Sequence, residues 1–127
     1  MGLGEFALQE FRGDSINKIK WDAFITSAAK HLMQSGVHPM ALNASAWEVW
    51  LNYKTFNDST ALKTALNWAK SSHEKLPTDP EVADTYGHIL FDLGYFKEAV
   101  EMAELSVKEG ERTGSKDLHY YKENVIN

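Results

Sequence analysis

Three polar side chains stand four positions apart in the second half of the chain: Asp84, His88 and Asp92. On a helix, this spacing places all three on one face. Two carboxylates beside a histidine could bind a divalent metal ion or tune the histidine for proton transfer. The sequence identifies no second histidine or carboxylate cluster as their partner. We therefore interpret them as a solvated polar face, with a metal site and an acid–base enzyme as the alternatives.

The other reactive residue types give no enzyme motif. His73 and Glu74 begin like a zinc-protease motif, but the second histidine is missing. The chain has no cysteine, which excludes disulfides and Cys-ligated zinc within it. It has neither a Gly-rich phosphate loop after a strand nor a Gly-x-Ser-x-Gly turn. We predict a protein that is not an enzyme, with no cofactor, no catalytic residue and no metal ligand.

Length and charge narrow the class of partner. The 127 residues are enough for one domain and too few for two. The formal net charge of −5 disfavours nucleic acid and, more weakly, anionic membrane surfaces. No apolar run is long enough to span a membrane, and the start of the chain lacks the pattern of a signal peptide. We expect a protein or peptide partner, with no nucleic acid and no membrane.

An internal repeat is suggested when the sequence is shifted by 34 positions. The shift defines two units, 46–79 and 80–113, which we expect to be flanked by an N-terminal helical segment, 1–45, and a C-terminal helix, 114–127. Small residues coincide between the units at three places. The pairs are Ala65 with Ala99, Ala69 with Ala103, and Ser72 with Ser106.

Helix start and stop signals divide each unit into two helices. In the second unit, Asp79 is a good N-cap, Pro80 a good first residue and Gly94 a good end. The next apolar stripe runs from Phe96 to Val107 and ends near Gly110 and Gly114. In the first unit, a helix with Trp47, Trp50, Leu51 and Phe56 precedes a second helix capped by Asp58 or Ser59. We also expect a helix at about 15–35 and a short helix at about 116–127.

The second unit resembles the tetratricopeptide repeat, whose pattern runs W-x2-L-G-x2-Y, then A-x3-F, then P. The matching residues are Tyr86, Gly87, Leu90, Gly94, Phe96, Ala99 and Ala103, with Glu111 where the family has proline. The first unit departs from the pattern at Asn52 and Tyr53. The resemblance implies an all-α fold of TPR-like antiparallel helix pairs with N-terminal and C-terminal capping helices.

A narrower resemblance concerns the segments 42–47, 65–69 and 84–90. They look like the helical module that follows the thioredoxin domain in some bacterial thiol–disulfide proteins. This implies an alternative function, that of a structural accessory module or a self-association domain. It also leaves two compartments open, the bacterial cytoplasm and, for an exported protein, the periplasm.

The family resemblance also implies where a partner would bind. In tetratricopeptide repeats the first helix of each pair lines a concave groove, which here predicts a peptide-binding or protein-binding adaptor. Trp47 and Trp50 could anchor a peptide there, but aromatic residues at helical spacing are more often core, and the alternative is that they pack under the N-terminal helix. A homodimer formed through an uncovered repeat face is a further alternative. The predicted groove residues are Trp47, Trp50, Lys54, Asp84, His88 and Phe91, with Glu81 and Asp92 beside them.

Overall fold

A computed structural model describes the backbone of residues 15–126 and the side chains of residues 17–125. Over that range the chain forms helices joined by turns, without a strand, so the predicted all-α class is confirmed. None of these helices is both long and apolar enough to cross a membrane. The helices are α1 (Ser15–His31), α2 (Pro39–Asn52), α3 (Ser59–Lys75), α4 (Pro80–Asp92), α5 (Phe96–Thr113) and α6 (Leu118–Ile126).

Neighbouring helices pack on one another in sequence order. Helix α2 packs on α3, α3 on α4, α4 on α5, and α5 on α6, while α2 also contacts α4. The interior holds both large apolar side chains and small residues that let helices approach. The largest fully buried side chains include Trp21, Trp68, Leu42, Leu62, Ile89, Val49 and Val82.

The start of α4 and the ends of α4 and α5 follow the predicted signals. Asp79 Oδ1 accepts hydrogen bonds from the backbone nitrogens of Glu81 and Val82, and Pro80 opens the helix. Gly94 follows α4 with a φ of 90°, and Gly114 caps α5 with a φ of 66°. Both glycines therefore provide left-handed backbone that an L side chain rarely adopts.

The sequence predicts an end of α5 near Gly110, but the helix continues to Thr113. Its role is close packing with α6. A Cβ atom built on Gly110 would lie 3.0 Å from Tyr121 Cδ2 and 3.3 Å from Leu118 Cδ1. The missing side chain is thus what allows α6 to lie against α5.

The first helix of the 46–79 unit begins earlier than expected. Helix α2 starts at Pro39, where His38 Nδ1 accepts a hydrogen bond from the backbone nitrogen of Met40. The boundary at 46 therefore falls inside α2, and Phe56 lies in the turn after the helix. Pro39 and Pro80, which open the first helices, are 41 positions apart rather than 34, and the second helices begin 37 positions apart, at Ser59 and Phe96.

Helix α1 is anchored to the turn before α3. Trp21 is fully buried and stacks on Phe56 with ring centroids 4.9 Å apart. Its Nε1 donates a hydrogen bond to Asp58 Oδ2 at 2.9 Å, while Asp58 Oδ1 caps α3 by accepting from the Ala61 nitrogen. Asp58 is therefore the α3 cap. Residues 1–14 of the predicted N-terminal segment lie outside the described residues, as does the Ser15 side chain.

Candidate functional site

A groove of about 420 Å³ opens between α4, α5 and α6. Its floor is made by small residues, Gly87 of α4 with Ala99 and Ala103 of α5. A Cβ atom on Gly87 would lie 3.2 Å from Met102 Cβ, so the glycine lets α4 and α5 approach closely. The volume is within the range of about 300–1,000 Å³ typical of ligand sites.

The rim of the groove is apolar and exposed. Phe91, Val100 and Val125 line it and are 55%, 53% and 43% exposed. Phe96 is 57% exposed and meets Phe91 edge to face, with ring centroids 5.2 Å apart. Exposure of apolar side chains to water is unfavourable. Exposed apolar patches on folded proteins often mark interaction surfaces.

One end of the groove is polar and holds a buried carboxylate. Asp84 is 8% exposed, and its Oδ1 accepts a 2.8 Å hydrogen bond from Asn124 Nδ2. His88 Nε2 lies 3.4 Å from the same Oδ1 and 3.3 Å from the Tyr120 hydroxyl. Among the described residues, every hydrogen bond or ion pair to Asp84 uses Oδ1. Oδ2 makes no hydrogen bond or ion pair with a described residue.

Acidic side chains gather near the polar end of the groove. Burial raises the pKa of Glu81, and the nearby carboxylates of Asp79, Asp117 and Asp84 raise it further. Burial and then Asp84 likewise raise the pKa of the Tyr120 hydroxyl. Both shifts have the direction expected where acidic groups gather with little compensating positive charge.

The predicted site residues separate into three groups. Asp84, His88 and Phe91 line the groove between α4, α5 and α6. Trp47 and Trp50 are stacked on each other at 4.9 Å and contact the His88 ring at 5.5 and 4.6 Å. The two tryptophans are not groove-lining residues but support the histidine from α2.

Lys54 and Asp92 lie apart from the other predicted residues. Lys54 is exposed in the turn after α2, with Nζ 5.9 Å from the centre of the Tyr53 ring. Asp92 accepts a 2.8 Å hydrogen bond from the Tyr53 hydroxyl. Burial, followed by this carboxylate, raises the pKa of Tyr53 to about 12. Asp92 therefore joins α4 to the end of α2 and is not a neighbour of His88 in the polar cluster.

A metal site is not formed by the residues that the structure describes. Across 15–126, no three His, Asp or Glu side chains are grouped so that they could hold an ion. Asp84 and His88 are together, but the amide of Asn124 and the hydroxyl of Tyr120 complete their surroundings. The cluster consists of one acid, one imidazole and neutral hydrogen-bonding groups, which suits recognition of a charged or polar group.

The sequence pattern does not reveal the contribution of α5 and α6 to the groove. Val100 lies in the predicted apolar stripe and Val125 in the predicted C-terminal helix, yet both are exposed on the rim. Asn124 gave no signal, because its partner Asp84 is 40 positions away. The apolar stripe of α5 is wider than the buried face of that helix. This difference in width is the sequence signal that some apolar residues of α5 are exposed. The stripe contains Phe96, Ala99, Val100, Ala103 and Val107.

Comparison with protein-family models, curated proteins and solved structures gives no match.

Proposed function

We propose that this chain is a non-enzymatic protein-binding module, and that a segment of a partner protein lies in the groove between α4, α5 and α6. The observation that carries the proposal is the exposed apolar rim formed by Phe91, Phe96, Val100 and Val125. Covering side chains that are about half exposed removes apolar surface from water, at about 25 cal/mol per Å². The floor of the groove is lined by the small residues Gly87, Ala99 and Ala103.

The proposal includes a tetratricopeptide-like arrangement of α2 to α5. Its support is the packing of α2 on α3 and α4 on α5, together with the contact between the two first helices. Ala65 and Ala99, 34 positions apart, are both buried in the second helices. The groove proposed for the partner differs from the one that the family resemblance implies, because α5 and α6 form most of its apolar wall.

Panning of a displayed random-peptide library on the 127-residue chain tests this function. The decisive variant is Val100→Glu, which places a charge on the apolar rim. The matched control is Leu51→Glu, because Leu51 on α2 is also 53% exposed but does not line the groove. Circular dichroism of all three proteins establishes that they are equally helical.

We expect peptides enriched on the wild type and on Leu51→Glu to lose at least about ten-fold in affinity for Val100→Glu, since an unpaired charge would be buried in the complex. If no enriched peptide distinguishes the Val100→Glu protein from the control, the groove is not a peptide site and the proposed function is wrong.

A further inference from the structure

We infer that the ligand of the groove carries a Lys or Arg side chain that binds the Asp84 carboxylate, beside apolar residues that pack on Phe91, Val100 and Val125. This inference rests on the proposed function and specifies the chemistry of the partner. It concerns one kind of occupant, a cationic amphipathic segment of another protein.

The first argument is the distribution of charge along the chain. Residues 80–126 contain ten Asp and Glu against five Lys and Arg, whereas residues 15–79 contain five against seven. The acidic excess is therefore concentrated in the helices that form the groove. Complementary charge speeds encounter and selects partners, so a cationic ligand is favoured here.

The second argument is the state of Asp84 itself. Its described partners are the neutral amide of Asn124 and the His88 ring, and none of its described ion pairs is with Lys or Arg. A buried carboxylate gains more from a cation than an exposed one, because solvent screens the pair less. Burial and then the carboxylates of Asp79, Asp117 and Asp84 raise the pKa of Glu81, so Asp84 belongs to a group of acidic side chains.

The same charges disfavour a second copy of this chain as the occupant. In a symmetric dimer formed through the groove, each acidic surface would face its own equivalent. Like charges brought together across an interface cost binding energy. A partner with the opposite charge removes that cost and supplies the missing cation.

The geometry sets the spacing expected in the ligand. Asp84 and Phe91 are seven residues apart on α4, which corresponds to about 10 Å along the helix axis. A helical ligand would bridge this distance with its cation and its apolar anchor seven positions apart. An extended ligand would do so with a separation of about three positions.

The test begins with peptides that depend on the groove, as defined by their loss of binding to Val100→Glu. One such peptide is synthesised in two forms, with its Lys or Arg intact and with norleucine in its place. Fluorescence anisotropy measures the binding of both forms to the 127-residue wild-type chain and to its Asp84→Asn variant. Asparagine keeps the shape of the side chain and the oxygen that accepts from Asn124.

We expect Asp84→Asn to weaken the cationic peptide about ten-fold. The norleucine form should bind the wild type and the variant equally, which also establishes that the variant is folded. Groove-dependent peptides without Lys or Arg, or equal binding of the cationic peptide to both proteins, would overturn this inference while leaving the proposed function intact. Absence of groove-dependent peptides overturns both.

Discussion

Replacing Asn124 by Asp tests the polar end of the groove most directly. In the wild type, Asn124 Nδ2 donates to Asp84 Oδ1 at 2.8 Å. The substitution keeps the size of the side chain but exchanges the donor for a second carboxylate. Two unit charges at about that distance repel by about 6 kcal/mol at an effective dielectric constant of about 20. The hydrogen bond to a charged group, worth about 1.5–3 kcal/mol, is lost as well.

Proton uptake limits this cost. Protonating a carboxylate of ordinary pKa costs about 4 kcal/mol at pH 7 and about 1.5 kcal/mol at pH 5, and the new O–H group can then donate to Asp84. The folded variant therefore binds more protons than its unfolded chain, so its stability falls as pH rises. We expect Asn124→Asp to be 2–4 kcal/mol less stable than the wild type at about pH 7, and about 1–3 kcal/mol of that loss to return by about pH 5.

Urea unfolding at both pH values measures the loss. Hydrogen exchange of the α6 amides is needed too, because a terminal helix can open without global unfolding. Asn124→Ala is the control, since it removes the hydrogen bond without adding charge and should show little pH dependence. The double substitution Asp84→Asn with Asn124→Asp restores one donor and one acceptor, and it should recover most of the stability. Equal stability and equal α6 exchange for Asn124→Asp and Asn124→Ala at both pH values would refute the reasoning.

Three further predictions concern the packing and the buried titratable groups. Gly87→Val should lower the free energy of unfolding by about 1–3 kcal/mol, because even a Cβ atom would lie 3.2 Å from Met102 Cβ; an unchanged urea midpoint would contradict the close approach. Tyr53→Phe should cost about 1.5 kcal/mol through loss of the hydrogen bond to Asp92. In the wild type, the stability due to the raised Tyr53 pKa is present below pH 10 and lost as pH rises through about 12. When tyrosine ionisation is followed by ultraviolet absorbance, the variant should show one fewer tyrosine that ionises at high pH. Burial lowers the pKa of His73, so the wild type should lose stability as pH falls below about 6.5, and the loss should level off below the folded-state pKa. The substitution His73→Gln should flatten this dependence of stability on pH. The NMR titration of the His73 ring should not resemble that of an exposed histidine.

Local signals were sufficient to predict the helices of the second unit. Asp79, Pro80, Gly94 and Gly114 each act through the backbone within a few residues, so their effects can be inferred without knowing the fold. The first unit was harder, because a single 34-residue register was applied to both of its helices. Neither pair of helices keeps that register, since the first helices begin 41 positions apart, at Pro39 and Pro80, and the second begin 37 positions apart.

The candidate site was predicted only where it depends on one helix. Asp84, His88 and Phe91 share a face of α4, which helical spacing reveals directly. Asn124 and Tyr120 reach the same place through the packing of α6, and that depends on a gap at Gly110. Such contacts between distant positions follow from tertiary packing, which no local pattern in the sequence encodes.

The stacked pair of Trp47 and Trp50 against His88 gives the molecule a native optical reporter. Trp21 and Trp68 are fully buried elsewhere and provide a steadier background emission. Because His88 also lines the groove, occupation of the groove would change the surroundings of the stacked indoles and hence their emission, without an added dye.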